Sequence, residues 1–190
     1  MNSLYAIDRG ILNFFSITMK NTFFDFIMPV FTTSDNHGEI WFVIALILIF
    51  NRKKGVKRVG VTMLMALIIG YALGEFGLKN IVQRQRPTIG IENYKFLVSV
   101  PTSYSFPSGH TTSSFASAGV IWLSKAKYRV WALILAIVIA FSRMYLHVHY
   151  PSDVLGGIIL GLTCAYISMG IVKYIINRRE REEKNGGECI

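Results

Sequence analysis

The segment VGVTMLMALIIGYALGEFGLKNIV, residues Val59–Val82, decides what kind of fold this chain adopts. It is almost wholly apolar, and it is longer than the about 20 residues that a helix needs to cross a bilayer. The whole chain shares this character, since 52% of its 190 residues are hydrophobic and only 16% are charged. An ordinary soluble domain carries about 25% charged residues. The sequence therefore predicts a membrane protein.

Other apolar runs predict that the chain crosses the membrane several times. Backbone groups in lipid must be satisfied within the segment, so each crossing must be a helix. A shorter run, Phe23–Phe31, contains Asp25 and Pro29 and either completes a sixth crossing or is re-entrant. We predict an all-α, polytopic transmembrane helical bundle with five to six spans, in one domain over residues 1–190. The additional runs are Ile40–Phe50 with its flank, Phe106–Leu123, Trp131–Leu146 and Val154–Ile176.

The two ends of the chain have a different character from the spans. Residues 1–33 are predicted to form amphipathic or short membrane helices, because the apolar residues of Leu4–Thr18 recur at helical spacing. Asp8 and Arg9 interrupt the apolar character, and no small-residue cleavage site follows, so this segment does not resemble a signal peptide. The sequence RREREEKNGGECI, residues 178–190, is interpreted as a solvated cytoplasmic tail rather than a nucleic-acid-binding arm.

The distribution of basic residues predicts the orientation in the membrane. Of the 20 lysines and arginines, 13 fall in the loops 51–58 and 124–129 and in the segment from Lys173 onward. Counting the predicted crossings places these three segments on one face, which the positive-inside rule makes cytoplasmic. The chain is therefore expected in the cell (cytoplasmic or inner) membrane as a multi-pass protein with a cytoplasmic C-terminus. Five basic residues are expected on the opposite face and need a separate reason: Lys79, Arg84, Arg86, Lys95 and Arg143.

Three distant parts of the sequence are expected to meet at the outer face of the membrane. The quoted helix delivers Lys79 to this face, and Arg86 follows it in the next loop. The next helix is expected to begin near Pro107, since proline is favoured in a first helical turn. The backbone N–H groups of Ser108–His110 would then point outward unpaired, and such a helix N-terminus binds anions. These features together predict an anion site.

The third part adds groups suited to phosphoryl transfer. Arg143 ends the returning helix, His149 lies in the following turn, and Asp153 comes four residues later, where its carboxylate can orient the imidazole. The paired N–H donors of an arginine guanidinium match the geometry of phosphate oxygens. One histidine can act as nucleophile near neutral pH, and a second, His110, can protonate the leaving oxygen. Fixed cations would stabilise the charge, so no metal or other cofactor is expected.

At these residues the chain resembles the type 2 phosphatidic-acid phosphatase superfamily. KNIVQRQRP (Lys79–Pro87) is similar to its K-x6-R-P element, and PSGH (Pro107–His110) matches its second element. SRMYLHVHYPSD (Ser142–Asp153) matches the third, S-R-x5-H-x3-D. The order and spacing of the three elements agree with the family, and the elements together span residues 79–153.

The resemblance implies a metal-independent phosphatase on a helical bundle. It implies that His149 is the nucleophile that forms a phosphohistidine, that Asp153 orients it and that His110 is the general acid. It also implies that the substrate phosphate is bound by Lys79, Arg86, Arg143, the Ser108 hydroxyl and the Gly109 amide. The superfamily includes soluble haloperoxidases that bind vanadate at the same residues, but the apolar spans argue against that branch.

The expected activity is removal of phosphate from a lipid mono- or diphosphate at the outer leaflet, with the site facing the periplasm or exterior. Undecaprenyl diphosphate is favoured, with phosphatidylglycerol phosphate and phosphatidic acid as rivals, because the motifs bind phosphate and do not read the lipid tail. The expected partners are this substrate and membrane lipids, with no nucleic acid; the oligomeric state stays open. The alternative is a transporter that binds anionic lipid, or a non-catalytic membrane protein.

Four residues near the motifs need separate interpretations. Glu75, one helical turn before Lys79, is predicted to be its structural partner. Arg84 is weighed as a further phosphate or headgroup contact. His147 lies two residues before the motif histidine and is expected to have no direct role, and His37 is interpreted as an outer-loop residue.

Overall fold

The computed structural model describes residues 3–33, 35, 38–88 and 96–186, and His37 lies outside them. The described residues form seven helices and contain no β-strand, which confirms the all-α prediction. The helices are α1 (Ser3–Asn13, continued by the π-helical turn Phe14–Thr18), α2 (Thr22–Thr33), α3 (Glu39–Ile49), α4 (Lys54–Val82), α5 (Gly109–Leu123), α6 (Arg129–Tyr145) and α7 (Pro151–Gly186).

The helices expose large apolar side chains all around the molecule, as a membrane protein does. Phe50 is 83% exposed, and Ile81, Phe26, Tyr166 and Trp131 are each more than two-thirds exposed. A soluble monomer rarely presents so much contiguous apolar surface to water. By length and composition, α4 and α7 are able to cross a bilayer, whereas α2 and α3 are apolar but shorter. The chain is thus a membrane protein, and the count of five to six spans stays a prediction.

Helix α5 forms the centre of the bundle. It packs against α4, α6 and α7, and ten of its 15 residues are buried. Small residues on α7 let the two backbones approach closely, which is how helices associate where no water drives them together. A Cβ atom added at Gly161 would lie 2.6 Å from Thr112 O and 2.8 Å from Ala116 N. Gly161 therefore allows the close approach of α5 and α7.

Helix α4 changes its winding before its last turn. It is α-helical over Lys54–Tyr71, π-helical over Ala72–Leu78 and α-helical again over Lys79–Val82. A π-helical segment inside an α-helix rotates the following residues relative to the preceding turns and is frequent at functional sites. The helix ends at Gln83, whose φ of 48° is left-handed. This local winding aims Lys79 into the bundle, where its side chain is buried.

Helix α1 turns one acidic and one apolar side chain, Asp8 and Leu12, toward the protein and leaves Arg9 exposed. Ile7 and Ile11 are exposed, whereas Asp8 is only 3% exposed and packs against the start of α7. The apolar stripe therefore faces the surroundings, which suits contact with the interfacial or acyl region of a bilayer. At the other end of the chain, α7 continues as a helix through Gly186, so most of the predicted tail is helical.

Candidate active site

Six of the eight predicted site residues line one cavity of about 1290 Å³. They belong to the end of α4 and the loop after it, the first turn of α5, the last turn of α6 and the turn before α7. These helix ends meet because α5 packs against all three of the other helices. The six residues are Lys79, Arg86, Gly109, His110, Arg143 and His149.

The guanidinium of Arg86 connects the loop after α4 to the imidazole of His149. Its Nε donates to Ser103 O at 2.7 Å, and its Nη1 donates to Val148 O at 2.9 Å. The same Nη1 lies 3.1 Å from His149 Nε2. Arginine has only donors, so Nε2 must accept this bond and the neutral ring carries its proton on Nδ1. The Nε2 lone pair therefore points at the Arg86 guanidinium.

The surroundings of His149 keep its imidazole neutral. The side chain is 2% exposed, and burial lowers its pKa well below 6.5, with the positive charges of Arg86, Arg143 and Lys79 lowering it further. Burial also lowers the pKa of Arg86 to about 10, which still leaves the guanidinium charged at neutral pH. A neutral imidazole surrounded by fixed cations has the protonation state that a nucleophile at a phosphate site requires.

The carboxylate of Asp153 lies behind His149 in the first turn of α7, as predicted, and is fully buried. Its Oδ2 lies 3.6 Å from His149 Nδ1 and accepts a 2.9 Å bond from the Tyr150 N–H. A separation of 3.6 Å exceeds an ordinary hydrogen bond, so the carboxylate acts on the ring through its charge in this state. The Oδ1 atom accepts a 2.6 Å bond from Arg84 Nη1.

Arg84 pairs with two carboxylates away from the cavity, and its weighed role as a phosphate or headgroup contact stays a prediction. Besides Asp153 it pairs with Asp8 on α1, with Nη2 2.7 Å from Asp8 Oδ2, and it is absent from the residues that line the cavity. Its guanidinium also lies 4.1 Å from the centroid of the Tyr150 ring. Asp8 is a residue that sequence reasoning missed as part of this region, because no local spacing relates it to a partner 76 positions away.

Glu75 is the structural partner of Lys79, as predicted. Lys79 Nζ lies 2.6 Å from Glu75 Oε1 and also donates to Ser103 Oγ at 3.1 Å. Arg86 Nη2 donates to the same Ser103 hydroxyl at 3.2 Å. Ser103 thus holds the two cations of the first motif side by side. The sequence contained no signal for it, since a lone serine in a loop is common at any surface.

The start of α5 differs in one respect from the expected nest of unpaired N–H groups. The Ser108 N–H donates to Asp153 O at 3.0 Å, so it is already used. Ser108 is fully buried, its hydroxyl accepts a bond from Thr111 Oγ1 at 2.9 Å, and it does not line the cavity. A Cβ atom at Gly109 would lie 3.0 Å from Glu75 Oε1, so a larger residue at this position would displace the Glu75 carboxylate. The phosphate-binding roles of Ser108 and Gly109 stay predictions.

Arg143 connects α2 to the candidate site through a hydrogen bond. It is buried in the last turn of α6, and its Nη1 donates to Thr32 Oγ1 at the end of α2. His147 is buried in the next turn and does not line the cavity. Within the ranges that the structure describes, no three His, Cys, Asp or Glu side chains come close enough to hold a metal ion.

The fold and the site define an α-helical membrane protein with a cation-lined cavity beside a neutral histidine. The PAP2 superfamily profile matches residues 55–177. The chain is 33% identical over 147 residues to the undecaprenyl-diphosphatase of Sulfolobus acidocaldarius, which covers 76% of this chain and 69% of that relative. The chain belongs to the PAP2 superfamily, which is the type 2 phosphatidic-acid phosphatase superfamily.

Two further relatives agree with this assignment. The phosphatidylglycerophosphatase B of Bacillus subtilis is 34% identical over 115 residues, but the match covers only 55% of this chain and 54% of that protein. The crystal structure of a transmembrane PAP2-type phosphatidylglycerolphosphate phosphatase from Bacillus subtilis superposes with a TM-score of 0.71. It covers 92% of this chain and 89% of that chain at 23% identity, and it therefore supports the fold.

Proposed function

We propose that this protein is a metal-independent phosphatase that removes phosphate from a lipid mono- or diphosphate through a phosphohistidine on His149. The observation that carries the proposal is the Arg86 Nη1 to His149 Nε2 contact of 3.1 Å, which requires an unprotonated Nε2 at the centre of three cations. In this arrangement a phosphate that displaces the guanidinium from Nε2 arrives in front of a nitrogen lone pair.

The first chemical step transfers the phosphoryl group to the protein. The lone pair of His149 Nε2 forms a P–N bond while the P–O bond to the leaving group breaks. His110 donates its proton to the leaving oxygen, so no free alkoxide or phosphate trianion is released. Lys79, Arg86 and Arg143 stabilise the charge on the equatorial oxygens, which supplies most of the catalysis in phosphoryl transfer. Asp153 stabilises the positive charge that develops on the ring.

The second step hydrolyses the intermediate. Neutral His110 takes a proton from water, the water oxygen forms the new P–O bond, and the P–N bond breaks to return the electron pair to His149 Nε2. Inorganic phosphate leaves, and His110 is protonated again. His149 must begin the cycle neutral, and its lowered pKa lets it do so at mildly acidic pH. We expect a pH optimum on the acidic-to-neutral side, with His110 protonated.

A lipid is the proposed substrate because the cavity continues from the cations onto apolar helix surfaces. It is lined there by Phe42 and Val43 of α3 and by Leu64, Ile68 and Tyr71 of α4. Four of these five side chains are also exposed on the outside of the bundle, so the cavity reaches the surface that faces lipid. A phosphate group could bind among the cations while its tail stays in the bilayer.

Undecaprenyl diphosphate is the favoured lipid. The relative from Sulfolobus acidocaldarius, which matches over 76% of this chain, is an undecaprenyl-diphosphatase, and this supports a polyprenyl tail. Phosphatidylglycerol phosphate and phosphatidic acid remain the rivals, since the Bacillus subtilis relative is a phosphatidylglycerophosphatase. The basic segments at 51–58, 124–129 and beyond Lys173 support a site at the outer leaflet and a cytoplasmic C-terminus.

The test is phosphate release by the purified full-length protein from a panel of these three lipids in detergent micelles, with and without EDTA. We expect turnover that EDTA leaves unchanged, with the polyprenyl diphosphate giving the highest kcat/KM. A chelator that abolished turnover, with metal restoring it, would disprove the mechanism. Lipid binding without phosphate release would instead favour a transporter.

A matched pair of histidine variants tests the nucleophile. His149→Asn should abolish release and the acid-labile phosphoprotein formed from 32P-labelled substrate, while lipid binding largely survives. His147→Asn is the control, because His147 lies two residues away, does not line the cavity and has a φ of 61° that asparagine tolerates. Equal loss of activity in both variants would contradict the assignment.

A further inference from the structure

A chain of charges connects helix α1 to the candidate nucleophile. Asp8 Oδ2 lies 2.7 Å from Arg84 Nη2, and Arg84 Nη1 lies 2.6 Å from Asp153 Oδ1. The other oxygen of Asp153 lies 3.6 Å from His149 Nδ1. Two carboxylates and one guanidinium therefore alternate in sign behind the imidazole. Asp8 and Asp153 are buried and Arg84 is about one-fifth exposed, so solvent screens these charges only weakly.

The same residues also hold the start of α7 in place. Asp8 Oδ1 accepts the Ser152 N–H at 3.0 Å, and its Oδ2 accepts the Ser152 hydroxyl. Arg84 Nη1 also donates to Ser152 Oγ at 2.6 Å. Because Ser152 precedes Asp153, these bonds fix the backbone from which the Asp153 carboxylate projects. A carboxylate at a helix N-terminus is also favoured by the helix dipole.

We infer that Asp8 and Arg84 are positioning residues that set the negative charge presented by Asp153 to His149, and with it the pH range in which the nucleophile is competent. The inference rests on the proposed function, because the state of this imidazole matters for turnover only if it attacks phosphorus. Neither residue touches the cavity, so neither contacts substrate. Helix α1 thereby becomes part of the catalytic apparatus rather than only a membrane-surface element.

The two residues act on the imidazole with opposite signs. Arg84 partly neutralises Asp153, so replacing it by glutamine leaves a more negative group behind His149 and raises the pH at which the His149–Asp153 pair takes up its proton. Asp8 in turn partly neutralises Arg84, so replacing Asp8 by asparagine strengthens the effect of Arg84 and lowers that pH. The pair is described by one apparent pKa, whichever of its two atoms carries the proton.

At an effective dielectric constant near 20, the Coulomb interaction gives a shift of about 1.5 pH units upward for Arg84→Gln and about 1 unit downward for Asp8→Asn. The other charged and titratable groups around this region are unchanged in both variants, so they do not alter the sign. These groups are Lys79 on α4, Arg86 in the loop after it, Arg143 on α6, Tyr5 and Arg9 on α1, and Tyr150 before α7.

The experiment uses the full-length protein and two independent readouts. The first is the acidic limb of kcat/KM for phosphate release from the lipid diphosphate, which reports the pKa of the unliganded nucleophile. The second is a direct NMR titration of the imidazole in histidine-labelled protein without substrate. The chain has four histidines, and the spectrum of His149→Asn identifies the signal of interest.

Asp25→Asn on α2 is the matched control, because it removes a carboxylate that accepts a 2.7 Å bond from the Tyr145 hydroxyl but lies outside the charge chain. We expect the acidic limb and the NMR titration to move up in Arg84→Gln, down in Asp8→Asn and not at all in Asp25→Asn. Arg84→Lys, which keeps the charge, should restore most of the wild-type value.

Each variant alone tests the inference, because each has its own predicted direction of the shift. A melting curve shows whether the variant is folded. Shifts in the same direction, or a loss of kcat with an unmoved His149 titration, would overturn the positioning role and leave only a structural one. If the wild-type protein hydrolysed no lipid phosphate, the proposed function would fail, and the NMR titration would still decide whether Asp8 and Arg84 control His149.

Discussion

Replacing the buried Asp35 by asparagine should make the stability of this protein much less sensitive to pH. Asp35 lies between α2 and α3 with no exposed surface, and its Oδ2 accepts bonds from Ser113 Oγ at 3.3 Å and Ser114 Oγ at 3.2 Å. Its Oδ1 is buried and has no hydrogen-bond partner within the described part of the chain. Burial raises the pKa of this carboxyl from 3.8 to about 7, against the lowering effect of the two serine hydroxyls and of Arg143.

The raised pKa of Asp35 determines the sign and the size of the change in protein stability with pH. A pKa raised in the folded state stabilises the protein fully below the unfolded value of 3.8, and this stabilisation is lost as pH rises through about 7. A shift of roughly three units corresponds to about 4 kcal/mol, or very roughly 10 °C in melting temperature for a chain of this size. Asparagine stays neutral, so the Asp35→Asn variant lacks this dependence.

The assay is a set of melting curves at pH 4 to 8 followed by tryptophan fluorescence in detergent. Trp41 reports locally, because it is fully buried and its Nε1 donates at 3.0 Å to Ser114 Oγ, a partner of Asp35. We expect the melting temperature of the variant, relative to wild type, to rise steadily between pH 4 and 8. Parallel curves, or a relative rise toward acid, would refute the reasoning.

Three further changes test packing and the cation cluster. Gly161→Ala should lower the melting temperature by roughly 5–10 °C, since the clashing atoms are backbone atoms that cannot rotate away, whereas Gly170→Ala meets no atom within 4 Å and should not lower it. Glu75→Gln removes a negative charge from the cavity wall and should lower KM for a diphosphate about threefold; a raised KM would indicate a direct role in binding. Arg86→Lys should reduce kcat/KM about 100-fold, because lysine cannot hold Ser103 O and His149 Nε2 together; an unchanged value in a phosphate-release assay would contradict the contact.

Much of the site could be read from the sequence because its residues belong to short motifs. His149 and Asp153 are about one helical turn apart, and Lys79 and Arg86 are joined by a helix end and a short loop; such local geometry follows directly from the order of residues. The same holds for the Glu75–Lys79 pair at i and i+4, which the structure confirms at 2.6 Å. The ion-pair partner of Arg84 was not predictable in this way, because Asp8 is separated from it by most of α1, α2, α3 and α4.

The sequence pattern also could not predict which helix ends lie next to each other. In a membrane bundle an apolar side chain faces either lipid or another helix at similar cost, so hydrophobic periodicity does not show which face packs inward. The stripe of Ile7 and Ile11 is an example: the sequence suggested a face laid on a membrane, and the structure leaves this stripe exposed while Asp8 and Leu12 of the same helix are buried.

Composition and local spacing depend only on neighbouring residues, and they were enough to predict a helical membrane protein with the three motifs of the PAP2 superfamily. The contacts between distant groups appear only in the folded chain: Arg86 reaches His149 Nε2, Ser103 joins two cations, and Arg84 faces Asp153 rather than the cavity. Such contacts depend on how helices pack, and packing is set by the shapes of whole surfaces rather than by the spacing of residues along any one of them.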